Sequence, residues 1–224
     1  MHDAATGEII FGVPGDGDDI GRCMVADVDP ETPGCEVWAS GTTLDGKLYS
    51  CRGELLSKKA PVYKFAGSWT FNMGIWWNGT LNRQMLDRGY VTEYIADNGG
   101  SGNRIFLKED YGVTTGQGTK NNPVFYGDFW GDWREEMIYV TPDYTELRIF
   151  TTNIETKYRF RPLMYDHVYR LSATHENVGY NQPTHPGFYI GSDLLKDENM
   201  EIGPGGIGDW KPEEGEHNGS AYED

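Results

Sequence analysis

Apolar positions along this chain fall in short runs, and the runs are separated by clusters of Gly, Pro, Asn and Asp. Short apolar or alternating runs bounded by turn residues read as β-strands. Such runs lie at 8–13, 23–26, 36–40, 48–52, 88–94, 104–107, 136–141 and 146–153, and the aromatic run 68–77 reads as buried. Turns at Asp45-Gly46 and Pro142-Asp143 join neighbouring runs into hairpins. No segment sustains a helical period. The best helical stretch, 82–87, would make only about one and a half turns, and 166–173 reads as a strand or a short helix. From Lys196 to Asp224 the chain turns acidic and poor in apolar residues, which predicts a linker or disordered tail. The expectation is an ordered all-β region over residues 1–195 followed by a tail over 196–224.

Composition sharpens that picture. Among 224 residues there are fourteen Tyr, seven Trp and thirty Gly, a mixture that suits short strands and tight turns in one domain with a sizeable core. The net charge of −16 argues against nucleic acid as a partner. An acidic polymer remains a partner where bound cations or local Arg and Lys reverse the sign. No segment has the roughly twenty apolar residues of a membrane-spanning helix. The polar opening Met1-His2-Asp3 is not a secretory signal, so the expectation is a protein that stays inside the cell or an internal piece of a longer one. Cys23, Cys35 and Cys51 lack the spacing of a zinc site and allow one disulfide at most.

The densest chemistry lies between Tyr126 and Tyr139, where Asp128, Asp132, Glu135 and Glu136 lead into an apolar strand. Four carboxylates so close together are tolerable if solvated, or if a hard cation gathers them. Oxygen-rich acidic loops suit Ca²⁺, although the spacing is not that of an EF-hand. A weaker copy lies at Val25–Ala39. There Asp27 and Asp29 precede a turn at Pro33-Gly34, and Glu36 stands directly before a strand. Glu36 then matches Glu136, and Asp27 matches Asp128. A third, degenerate copy at Gly74–Leu86 has Asn78, Thr80 and Gln84 at its acidic positions. Strand, acidic loop and strand recurring every fifty residues or so predicts a repeat architecture such as a propeller. The competing readings are a solvated turn for each loop and chance similarity in an acidic chain. The candidate metal ligands are Asp27, Asp29, Glu36, Asp128, Asp132 and Glu136.

Three other loops carry unusual residues: Gly21-Arg22, Gly118-Thr119-Lys120 and Tyr180-Asn181-Gln182. The Gly-Thr-Lys loop lacks the leading glycine and the following helix of a phosphate loop. Gly-Arg, Ala-Asp-Val-Asp-Pro with Glu-Val-Trp, Gly-Thr-Lys, Gly-Asp-Trp-Arg-Glu-Glu, Tyr-Arg-Leu-Ser and Tyr-Asn-Gln-Pro follow one another in that order. In this the chain resembles the rhamnogalacturonan lyases of polysaccharide lyase family 11, over residues 4–195.

The resemblance implies an all-β fold, a partial β-propeller of about three blades from an eight-bladed family fold, with calcium-binding loops. It implies cleavage of the rhamnogalacturonan I backbone of pectin, an acidic plant polysaccharide, by β-elimination, and an extracellular or periplasmic location. By the same resemblance Arg22 and Lys120 are the catalytic candidates, and Gln117, Gly118, Thr119 and Tyr180 would contact sugar. Gln117 stands where the family usually has Asn, and His175 and Glu176 stand where it often has Trp-Gln. Family members are far longer, and the histidine motifs that precede this region in them are absent here. The chain then corresponds to their C-terminal third, with the missing blades on a longer parent or on a second chain. The alternative is a calcium-stabilised carbohydrate-binding or structural module without catalysis.

Overall fold

The computed structural model describes residues 1–14, 17, 22–40, 47–57, 71–96, 103–116, 121–176, 178 and 183–194. These form three antiparallel sheets and one helix. In the first sheet β1 (Arg22–Ala26), β2 (Glu36–Ser40), β3 (Lys47–Ser50) and β4 (Leu55–Ser57) lie in chain order. The second repeats this order with β5 (Met73–Ile75), β6 (Gln84–Asp87), β7 (Tyr90–Thr92) and β8 (Arg104–Leu107). The third has β9 (Phe125–Gly127), β10 (Glu136–Val140) and β11 (Leu147–Phe150). Helix α1 (His167–His175) follows. Among the described residues the sheets do not close into a ring.

The sheets pack face to face in sequence. Met24, Trp38 and Leu48 of the first sheet meet Phe71 and Met85 in one buried cluster. Met73, Ile75 and Leu86 of the second meet Tyr126, Met137 and Tyr139 of the third in another. The third sheet then packs on α1 and the segment after it through Trp133, Leu163, Tyr169 and Phe188. The second sheet is thus covered on both faces. This is why β5 and β6 are buried at every position, although side chains alternate between faces. Met85 turns to the first sheet and Leu86 to the third. Gly74 lets the first two sheets approach: a Cβ there would stand 2.9 Å from the Met24 methyl. The outer face of the first sheet is open, with Cys23 exposed and Val25 43% exposed on β1.

Three expectations change. Residues 8–13 are not a strand; a single bridge joins His2 to Ile9, Ile9 is 71% exposed, and the Phe11 ring reaches the first sheet, 5.8 Å from that of Tyr49. Residues 84–87, inside the best helical candidate 82–87, form β6 instead: the hairpin through Arg88 (φ 52°) and Gly89 (φ 81°) pairs them with β7. Residues 166–173 resolve as helix. Asp166 caps it by accepting the N–H groups of Val168 (3.1 Å) and Tyr169 (3.2 Å), a contribution of about 1 kcal/mol. The tail, 196–224, lies outside the described residues.

Candidate functional site

Each sheet is closed at one end by the same device. Where β1 crosses to β2, Glu36 accepts the backbone N–H groups of Val28 (2.8 Å) and Asp29 (3.0 Å) with one carboxylate oxygen. Where β9 crosses to β10, Glu136 accepts those of Phe129 and Trp130, both at 3.1 Å. Where β5 crosses to β6, Gln84 accepts those of Trp77 (2.7 Å) and Asn78 (2.8 Å) with its amide oxygen. The registers agree: Glu36 opposes Ala26, Gln84 opposes Ile75, and Glu136 opposes Gly127. Asp27, Trp76 and Asp128 therefore hold one repeat position, and Asp29, Asn78 and Trp130 the position two residues on. Backbone contacts between sheets repeat too. Arg83 N–H donates to the Asp27 carbonyl (2.7 Å), and Glu135 N–H donates to the Trp76 carbonyl (3.0 Å).

The six candidate metal ligands fall into two groups around these crossings, and backbone and side-chain donors hold most of their oxygens. Asp27 accepts from the Asn82 amide, the Tyr189 hydroxyl and the Ser192 N–H. Asp128 accepts from the Gly131 and Leu163 N–H groups, and Asp132 is paired with Arg134. Asp29 is held in a local turn by the Glu31 N–H and the Thr32 hydroxyl. Burial raises Asp27 and Asp128 to about 6, Glu136 to about 7 and Glu36 to about 8, and neighbouring carboxylates add to each shift. Among the described residues no three His, Cys, Asp or Glu side chains converge on a metal position. The donor chemistry fits a hard cation best at the first crossing, where Glu36 Oε1 is buried without a hydrogen-bond partner. At the second, the oxygens of Asp128 and Glu136 are engaged, Glu136 Oε1 by the Thr151 hydroxyl.

Arg22 opens β1, paired with Ser40, at the end away from the β1–β2 crossing. In sequence, residues 117–120 come before β9, the strand equivalent to β1. The Arg22 side chain and Gln117, Gly118, Thr119, Lys120 and Tyr180 lie outside the described residues.

A buried cluster joins the second sheet to the third and to α1. Arg83 and Glu135 form an ion pair at 3.2 Å, with side chains 4% and 0% exposed. Arg83 also donates to the carbonyls of Gly74 (2.6 Å) and Thr184 (2.8 Å) and lies 4.2 Å over the Trp76 ring. Glu135 accepts from the Trp76 N–H (2.9 Å), from the Tyr169 hydroxyl (2.7 Å) and from the Thr184 hydroxyl. Tyr126, on β9, grips both flanks of the segment that carries Tyr180. Its N–H donates to Glu176 (3.0 Å) and its hydroxyl accepts the Thr184 N–H (3.0 Å). Burial raises Glu176 to about 9, and Glu176 Oε1 is buried without a partner. In sequence, Glu135 stood out only as one of the carboxylates of the acidic stretch, and Arg83 holds the same place, one residue before the clasp position, where the first sheet has Cys35.

A family model for the rhamnogalacturonan lyase family 11, C-terminal domain, matches residues 1–200. The chain belongs to this family. Among curated relatives, the rhamnogalacturonan endolyase YesW of Bacillus subtilis is 42% identical over 88% of this chain and 29% of its own length. The rhamnogalacturonan exolyase YesX of the same organism is 39% identical over 88% of this chain and 32% of its own. The chain thus spans about a third of the length of these relatives. The crystal structure of the lyase YesW superposes with a TM-score of 0.75 at 39% identity, covering 92% of this chain and 32% of that one. The Bacillus licheniformis rhamnogalacturonan lyase of the family superposes with a TM-score of 0.72 at 40% identity, covering 92% and 31%. In this family-11 C-terminal domain, three stacked sheets share a common end-clasp.

Proposed function

We propose that this chain is the C-terminal part of a rhamnogalacturonan lyase and supplies the residues that cleave the rhamnogalacturonan I backbone of pectin by β-elimination. The observation that supports this most is the fold match to solved lyases at about 40% identity over 92% of the chain. In this reading the galacturonate carboxylate docks on Arg22, whose planar fork takes both oxygens. Neutralising that charge makes the C5 proton acidic enough to remove. Lys120, kept neutral by desolvation and nearby cations, takes the proton. The C5–H and C4–O bonds break, the C4=C5 double bond forms, and the departing oxygen leaves as a hydroxyl after protonation. Gln117, Gly118, Thr119 and Tyr180 hold the sugar.

Ca²⁺ belongs to the same proposal. Asp27, Asp29 and Glu36, and less readily Asp128, Asp132 and Glu136, would hold it, and it would neutralise buried carboxylates at the sheet ends. Further propeller blades, on a longer parent chain or on a second chain, would cover the open face of the first sheet around Val25. A secreted location, extracellular or periplasmic, follows from the polymeric plant substrate.

The test is incubation with rhamnogalacturonan I and Ca²⁺, following the ultraviolet absorbance of the unsaturated uronide. Absorbance that grows with a long form containing this chain, and that Lys120→Ala abolishes, supports the reading. Silence from both forms overturns it. A non-catalytic carbohydrate-binding module is the second reading, favoured by the chain's spanning only a third of its relatives. Pectin binding by a long form that never turns over would select it.

A further inference from the structure

The register of the first sheet sets two cysteines opposite each other. Glu36 opposes Ser50 and Val37 opposes Tyr49 in the antiparallel ladder between β2 and β3. One step further out, Cys35 opposes Cys51, and the Cys51 N–H donates to the Cys35 carbonyl at 2.9 Å. Directly opposed residues of an antiparallel pair present their side chains on one face. In a hydrogen-bonded pair their Cα atoms lie about 5.5 Å apart, inside the range that a disulfide spans. Both side chains are half-buried, and both thiols are free.

The Cys51 thiol leans towards the facing strand. Its Sγ lies 3.0 Å from where a Cβ on Gly34 would stand, so it sits against the chain one residue before Cys35. Gly34, at φ 86°, leaves that space open, and a side chain there would fill it. Cys23 has no such partner. It opposes Ala39 on β2, four residues along the strand from Cys35, or about 13 Å. A disulfide needs Cα atoms within about 7 Å. Sequence spacing leaves every pairing of the three cysteines open, and the register selects one.

We propose that Cys35 and Cys51 are a disulfide site, closed in an oxidising compartment by exchange with a small-molecule disulfide of the glutathione class. One cysteine, as thiolate, attacks the oxidant's disulfide and expels one thiolate, which leaves a mixed disulfide. The other cysteine then attacks the protein sulfur of that intermediate. The Cys35–Cys51 bond forms and a second thiolate leaves. The two cysteine protons end on the expelled thiolates, so two protein thiols are oxidised and one disulfide is reduced to two thiols. Burial, with the Asp27 and Glu36 carboxylates and the Cys51 thiol adding to it, pushes the Cys35 thiol up to about 12. No stabilised thiolate then draws the bond back open, so it is a fastener rather than a redox shuttle. What it fastens is the first clasp. Glu36 follows Cys35 directly, and the Gly34 N–H donates to Asp193 (3.0 Å) in the segment 183–194. The site stands independently of the lyase reading.

Oxidation of the reduced full chain with oxidised glutathione at mildly alkaline pH tests this. After alkylation, trypsin and an Asp-N protease together cut between all three cysteines. Mass spectrometry should find Cys35 linked to Cys51, with Cys23 outside the link. The bond constrains a loop of about fifteen residues, so the oxidised protein should melt about 5–10 °C above the reduced one. Excess dithiothreitol should reverse the rise. Cys23→Ser should behave as the parent, while Cys35→Ser and Cys51→Ala, whichever of them folds, should show no rise. Glutathione left on Cys35 or Cys51 without ring closure, a link through Cys23, or a linked protein that melts no higher would overturn the site.

Discussion

The Tyr126 hydroxyl accepts the backbone N–H of Thr184 at 3.0 Å, inside a core where Tyr126 is 1% and Thr184 0% exposed. Tyr126 lies six residues after Lys120, so one side chain ties the Tyr180 segment to the strand that follows the Gly-Thr-Lys loop. Tyr126→Phe keeps the ring packing but leaves that N–H unpaired. A loss of about 1–3 kcal/mol in denaturant unfolding is expected. In a long, active form, the same change should lower kcat/KM through the displaced Tyr180 segment. A variant as stable as the parent would show that the bond carries no weight.

The Arg83–Glu135 pair makes a second prediction. Removing one partner of a buried pair leaves an uncompensated charge, so Arg83→Ala should cost about 3–5 kcal/mol. Arg83→Met with Glu135→Gln should recover most of that loss, because neither charge remains. Urea midpoints of the parent and the two variants decide between a charge effect and simple loss of packing.

Gln84 shows that a neutral amide oxygen can perform the clasp. Glu36→Gln is therefore expected to be stable, and at pH 8 without Ca²⁺ at least as stable as the parent, since burial already raises Glu36 to about 8. If Ca²⁺ binds at this crossing, the parent gains stability with added ion, about 2.7 kcal/mol at a hundredfold excess over Kd. Glu36→Gln should lose most of that gain. Thermal melts with and without chelator measure both effects. An unfolded Glu36→Gln protein would contradict the equivalence of the three clasps.

The buried carboxylates set a pH dependence. Glu176 (about 9), Glu36 (about 8), Glu136 (about 7), Asp27 and Asp128 (about 6) all have raised values in the fold. A raised acid favours folding below its unfolded value near 4 and loses that contribution as pH rises through the folded value. His185 works the other way. Burial lowers it from 6.5 to about 4, so its contribution is present above 6.5 and is lost as pH falls through 4. In chelator the melting temperature should climb as pH drops from 9 towards 6, and the gain should level off as His185 begins to oppose it. Ca²⁺ should flatten the slope. A melting temperature that falls over that interval refutes the carboxylate account.

Much of the architecture could be read from the chain because its physics is local. Alternating apolar runs and turn residues fix most strands, and the Asp27–Glu36 and Asp128–Glu136 spacing marks a repeat. Gln84 was recognisable as a degenerate member because its amide oxygen can accept the same N–H groups as a carboxylate. Residues 8–13 were misread since strand formation depends on a neighbour: Ile9 is exposed, whereas Met85 and Leu86, in a stretch without sustained helical period, are pulled between two sheets. The ion pair of Arg83 with Glu135 and the grip of Tyr126 on Thr184 join residues 52 and 58 positions apart. No spacing rule reaches that far. Returning to the acidic stretch from Asp128 to Glu136, the sequence established that its carboxylates belong to a recurring loop. Only the tertiary structure decided that Glu136 clasps loop amides where β9 crosses to β10, and that Glu135 turns inward to Arg83. Adjacent residues of a strand face opposite sides, and what each side meets is set by the packing of whole sheets.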